Sequence, residues 1–265
     1  VTTPPQAAHI AQQFVEARRL ATALPDYPGP VPATLDDAYA IQDIAIANSP
    51  APIGGWKVGR IPAHLSGQYG ADRLAGPIFA NTISLAEPGS IGRIFAQGFG
   101  AAEAEFLLRI GTAPAPGKTS FTLEEAAAHI DAVHIGIEIA SSPFPGINTL
   151  GPAVTISDFG NNNGLLIGAP VADWQSGDFA EREIRVMIND ALIGTGIASA
   201  FPDGPIGSVR FLLENLSRRG LPITPGLWIS SGAITGVHPV DVDDRVRADF
   251  GSLGGIDCHI SAQKA

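Results

Sequence analysis

Glu103 and Glu105 stand two residues apart in a run that begins at Ala101 and continues through Phe106, Leu107, Leu108, Arg109 and Ile110. Read as a strand, this run points residues i and i+2 the same way. Both carboxylates then share one face, and Ala104, Phe106, Leu108 and Ile110 form an apolar face on the other. Two like charges that close repel unless water, a proton or a cation intervenes, and a solvated strand face satisfies the pattern as well as a metal does. A third acid has the same presentation. Between Ala132 and Ala140, Val133, Ile135, Ile137 and Ile139 alternate with His134, Gly136 and Glu138, so this strand also has one apolar face and carries Glu138 on the other. Three strand-borne carboxylates form a ligand set for a hard divalent cation, with oxygens suited to Mg2+ or Mn2+. Such a site keeps positions open for water or an oxygen-rich substrate, which is how a metal polarises a carbonyl. The sequence leaves open whether the two strands are neighbours.

Other residues offer chemistry of their own. Lys57 lies between Trp56 and Val58, bracketed by glycines; an ammonium there can hold a substrate carboxylate or stabilise an enolate, or it is an ordinary turn lysine. His64 and Asp72 fall in a polar segment, Arg60 to Asp72, read as a loop or flap, where each is either a solvated side chain or an acid-base group carried on a lid. The run Asp158-Phe159-Gly160-Asn161-Asn162-Asn163-Gly164 places amides such as that of Asn161 where they can line a pocket, and Gly232-Ala233-Ile234-Thr235-Gly236 offers backbone N–H groups around Ala233 and Thr235; both runs also read as plain turns. His134 is four strand residues, about 13 Å, from Glu138 and reads as a packed or hydrogen-bonded histidine.

The elements that must position these groups are mostly short. Ile10, Phe14, Ala17 and Ala21 recur at helical spacing in Gln6 to Ala23, and Thr34 caps a second helix with Leu35, Ala38, Ile41 and Ala45 on one face. From Gly76 onward, apolar runs alternate with turn clusters. Thr122 and Glu125 form a capping box for a short helix. Val209, Leu212, Leu213 and Leu216 mark a later helix, and Val246 to Ile260 reads as a hairpin around Gly251 to Gly255. The expected organisation is a single unit over residues 1–265, with a helical segment at 1–50 and a β-rich catalytic part at 51–265.

Composition narrows the partners. The 31 glycines and 22 prolines favour turns and short strands over a helical bundle. Acids outnumber bases by 26 to 16, for a formal charge of -10 with no basic cluster, which argues against nucleic acid. The single cysteine, Cys258, excludes an internal disulfide. Without a leader or an apolar run of spanning length, the expectation is a cytoplasmic protein with no membrane partner.

Several segments together resemble the 2-keto-4-pentenoate hydratase and 2-oxo-acid decarboxylase group of the fumarylacetoacetate hydrolase superfamily. They are Ala38-Tyr39-Ala40-Ile41-Gln42, Gly55-Trp56-Lys57-Val58-Gly59, Glu103-Ala104-Glu105, Glu138, Gly232-Ala233-Ile234-Thr235-Gly236 and Ala248-Asp249-Phe250-Gly251. The resemblance implies an α+β fold, a mixed β-sheet roll with N-terminal helices, assembled as a homo-oligomer that can associate with a partner enzyme of the same pathway. It implies a metal on Glu103, Glu105 and Glu138, a 2-oxo acid bound through its carboxylate and oxo oxygens, and Lys57 assisting proton movement and charge neutralisation. The chain departs from the pattern before Gly76, where Leu74-Ala75 lacks the proton-transfer aspartate; Asn161 stands where the group has serine, and Gly204 where it has histidine. His64 or Asp72 is the expected substitute for the missing acid. The leading expectation is a metal-dependent lyase hydrating a 2-hydroxy-2,4-dienoate in aromatic catabolism. Decarboxylation of a 2-oxo-enedioate, C–C hydrolysis of an acylpyruvate with His64 as base, and a non-catalytic partner subunit are the alternatives.

Overall fold

The computed structural model describes residues 2–265. Six α-helices punctuate the described residues: α1 (Pro4–Leu20), α2 (Leu35–Ala47), α3 (Ala63–Tyr69), α4 (Leu123–Ala128), α5 (Pro152–Ser157) and α6 (Gly204–Arg219). Proline suits the first turn of α1, where its missing N–H is no loss, and the Gln6 Oε1 accepts from the Thr3 N–H at 2.9 Å. The helix stops at Leu20, earlier than its spacing predicts, because Ala21 turns left-handed at φ 50°. Thr34 caps α2, its Oγ1 accepting from the Asp37 N–H at 3.1 Å. Ile10 and Phe14 of α1 and Ile41 and Ala45 of α2 bury their sides against Phe144, Val154 and Phe159; each large apolar side chain contributes roughly 1.5–3 kcal/mol.

The strands are β1 (Ile53–Arg60), β2 (Arg73–Phe79), β3 (Ile83–Leu85), β4 (Ile91–Ile94), β5 (Phe99–Ile110), β6 (Ile130–Ser142), β7 (Asn162–Pro170), β8 (Ile184–Ile188), β9 (Ala191–Gly196), β10 (Trp228–Ser230), β11 (His238–Pro239), β12 (Arg245–Asp249) and β13 (Gly255–Ala262). An eight-stranded sheet runs β2-β1-β10-β5-β6-β7-β3 with β11 added to β5, and a five-stranded sheet runs β4-β13-β12-β8-β9. Pairing is mixed: β1 with β10, β3 with β7 and β13 with β4 are parallel, the rest antiparallel. The architecture is α+β, a mixed sheet roll with helices at its N-terminal end. Between the sheets, Phe106 of β5 stacks edge-on against Phe179 at 4.8 Å and Phe250 at 5.5 Å, geometries that aromatic quadrupoles favour.

The segment read from the sequence as a loop, Arg60 to Asp72, contains helix α3. Pro62 precedes it and Gly70 ends it at φ 63°. Its single apolar pair, Leu65 and Tyr69, is only half-buried, too little periodicity to announce a helix. No helix among the described residues is long and apolar enough to cross a membrane.

Candidate metal centre

β5 and β6 are the longest strands and lie side by side, with Glu103 directly opposite Glu138 and Glu105 opposite Gly136. The alternation that separates acids from Ala104, Phe106, Val133, Ile135 and Ile137 therefore puts all three carboxylates on one face. One oxygen from each lies within 4.8 Å of the others, and all three residues are buried. The remaining contacts come from distant segments. Ser230 Oγ donates to Glu105 Oε2, and the Gly232 N–H reaches the same oxygen at 2.8 Å. Gly232 has φ 115°, which glycine alone adopts without strain. Asn162 Nδ2 donates to Glu138 Oε1 at 2.9 Å. Lys57 Nζ lies 3.1 Å from Glu138 Oε1 and 4.0 Å from Glu103 Oε2, and donates to Asn161 Oδ1 at 2.9 Å.

Burial pushes the Glu103 carboxyl up to about 7 against the pull of Lys57, with Glu138 adding to the rise. Glu105 is raised well above the carboxylate range by burial and by Glu138 and Glu103. Burial works against the charge on Lys57, but Glu138, Glu103 and Glu105 outweigh it and raise its pKa. Three carboxylates and one ammonium sum to two negative charges, which a divalent cation balances. Glu105 Oε1 and Glu138 Oε2 are buried without any hydrogen-bond partner, a costly state that a coordinated cation removes. The donor set is all oxygen, the chemistry of Mg2+, Mn2+ or Ca2+, so these residues fit such an ion.

No family model matches the sequence. Solved structures do match. The 4-oxalocrotonate decarboxylase from Pseudomonas putida G7, complexed with magnesium and adipate, superposes with a TM-score of 0.82 at 21% identity, over 98% of this chain and 99% of that one. The chain has the fold of that structure. A protein of Yersinia pestis CO92 described as a fumarylacetoacetate hydrolase family protein matches at a TM-score of 0.55 and 14% identity, over 80% of this chain and 94% of that one. Fumarylpyruvate hydrolase from Pseudomonas aeruginosa, in complex with Mn2+ and pyruvate, matches at 0.56 and 18%, over 82% and 94%.

In this fold, a cavity of about 850 Å3 opens beside Glu103, with Lys57, Asn161, Ala233 and Thr235 also on its wall. The structure thus brings together the three acids, the lysine and the three residues read as substrate-binding. It does not bring in His64 or Asp72. His64 sits on the exposed side of α3, and Asp72 is exposed and paired with Arg73 at 3.0 Å; helix α3 presents Leu65, not His64, to the cavity. His134 is packed, its Nδ1 2.8 Å from the Gly168 carbonyl and its ring edge-on to Trp228 at 5.1 Å. The sequence reading missed Ser230, Asn162 and Arg60. Asn162 lay inside a flagged amide run; Ser230 carried no signal, because only β10 pairing beside β5 places it near Glu105. Arg60 lines the mouth with its guanidinium 4.9 Å above the Phe201 ring.

Proposed function

We propose that this chain is a divalent-metal-dependent lyase of a 2-oxo acid, and that its reaction is decarboxylation of a 2-oxo-enedioate. The observation that carries this reading is the cavity wall. Apart from Glu103, its ionisable groups are two cations, Lys57 and Arg60, with no imidazole and no second carboxyl among the described residues. Such a wall stabilises developing negative charge and lacks a water-activating base. The likeness to a decarboxylase structure holding magnesium and the dicarboxylate adipate supports the same choice.

Glu103, Glu105 and Glu138 would hold the cation. When bound, the cation supplies Lewis acidity to the 2-oxo end of the substrate. Lys57, oriented by Asn161 and Glu138, presents its ammonium to the same end. Loss of CO2 breaks the bond between the distal carboxyl and its carbon; the electron pair moves through the enone to the 2-oxo oxygen, giving a dienolate whose charge Lys57 faces. Protonation of the dienolate completes the reaction. Arg60 at the mouth draws anionic substrate into a chain of net charge -10.

The test is CO2 release from 2-oxohex-3-enedioate with Mg2+, lost in Glu105→Gln. Absence of CO2 from an enzyme that binds Mg2+ would overturn decarboxylation. The second reading is hydration of a 2-hydroxydienoate, favoured by Asn148, Thr155 and Thr235, polar groups on the wall that can hold a water; consumption of diene absorbance without CO2 would select it. Hydrolytic C–C cleavage with His64 as base has no support in the placement of His64.

A further inference from the structure

The turn that carries Asn161 and Asn162 to the metal centre is held in a conformation that its own sequence does not favour. Phe159, Gly160 and Asn161 all have positive φ, at 54°, 63° and 59°; glycine and asparagine tolerate this region, phenylalanine does not. Gly76 of β2 closes one side of the turn, where a Cβ would meet the Phe159 carbonyl oxygen at 2.1 Å. The other side is held by Arg18, from the last turn of α1.

Arg18 Nε and Nη2 donate to the two carboxylate oxygens of Asp158 at 2.5 and 2.9 Å. Nη2 also reaches the Ser141 carbonyl at 3.0 Å, and Nη1 reaches the Asn162 carbonyl at 3.0 Å and Asn163 Oδ1 at 3.2 Å. The guanidinium lies against the rings of Phe95 and Phe159 at 5.5 and 5.3 Å. One planar fork thus grips the chain on both sides of the left-handed trio, and the Asp158 side chain is fully buried. Between the two grips, Asn161 accepts from Lys57, and just beyond it Asn162 donates to Glu138.

We propose that Arg18 is a positioning residue of the active centre: by clamping Asp158 and Asn162 it fixes the turn that aims Asn161 at Lys57 and Asn162 at Glu138. Helix α1 is then part of the catalytic apparatus as well as of the core. The inference rests on the metal-site reading above.

Arg18→Gln and Arg18→Lys are compared with Ile10→Val, which trims a core side chain of the same helix and leaves the Arg18 contacts to Asp158 and Asn162 in place. Mn2+ affinity by calorimetry, kcat, KM and the thermal midpoint are measured for each, below every midpoint. Arg18→Gln is expected to weaken Mn2+ binding and lower kcat by about 10–100-fold, the usual effect of losing a partner that orients metal ligands. Lysine cannot reproduce the fork and should not rescue, whereas Ile10→Val should move only the midpoint. In an Asn162→Ala background, Arg18→Gln should weaken Mn2+ binding further by no more than about 3-fold, because the two act through one contact. Should Arg18→Gln fail to fold, Arg18→Gln with Asp158→Asn, which removes both buried charges, takes its place. Wild-type protein that takes up no Mn2+ overturns the metal reading and this inference with it. Wild-type binding that Arg18→Gln leaves unaltered, fully additive losses with Asn162→Ala, or equal effects from Ile10→Val, overturn this inference alone.

Discussion

Lys57 on β1 stands 3.1 Å from Glu138 on β6, although β10 and β5 lie between their strands. The lysine reaches across the inner face of the sheet, over the position where Glu103 and Glu105 converge, and supplies the only positive charge within 4.0 Å of these carboxylates among the described residues. A buried group of three acids is tolerable because this cation is inside it, and it remains two charges short of neutral.

Removing that charge separates binding from chemistry. Lys57→Met leaves three buried like charges, so the metal-free protein should melt several degrees lower, since stripping one partner from a buried ion pair costs about 3–5 kcal/mol. Saturating Mg2+ should restore the midpoint, because the cation replaces the missing charge. Metal affinity should be undiminished while kcat falls by about 100-fold or more. A Lys57→Met variant that retains activity would remove the lysine from the mechanism.

The carboxylates also set a pH dependence. Glu103 is raised from an ordinary 4.5 to about 7, and Glu105 is raised as well. A group whose folded pKa exceeds its unfolded one contributes stability below the unfolded value and loses it as pH rises through the folded value. The metal-free protein should therefore melt at a higher temperature at pH 5 than at pH 8, with the loss falling between about 4.5 and 7 for Glu103. Mg2+ binds the ionised form, so it should raise the midpoint most at pH 8. Lys57, with its pKa raised, stays charged throughout this window. A thermal midpoint that climbs from pH 5 to pH 8 without metal would contradict the buried, repelling arrangement.

The mouth of the cavity makes a third test. Arg60 lines it, whereas His64 and Asp72 face away. Arg60→Gln should raise KM by about 10-fold, change kcat little, and flatten the dependence of kcat/KM on salt. His64→Ala and Asp72→Asn should stay within about 2-fold of wild type on both parameters, as surface changes remote from chemistry do. Loss of turnover in His64→Ala would show that α3 moves into the cavity during the reaction.

Period-two patterning was enough to divide β5 and β6 into an acidic and an apolar face, because side chains alternate on any strand whatever lies around it. Local rules likewise located α2 through Thr34, α4 through Thr122 and Glu125, and the closing hairpin, since caps and turns are satisfied by residues three or four apart. Helix α3 escaped because its burial is shallow. His64 and Asp72 lie exposed and off the cavity wall, because the polarity that suggests a flap says nothing about the direction a side chain faces.

What the sequence determined by itself is which residues share a face and which segments begin and end elements, properties fixed by backbone geometry over a few residues. Only the tertiary structure decided that Glu103 lies opposite Glu138, that Lys57 reaches them across two strands, that Ser230 and Gly232 hold Glu105, and that Arg18 clamps the turn bearing Asn161 and Asn162. Those contacts join positions up to 144 residues apart. Register and sheet order place them, and these depend on the packing of the whole core.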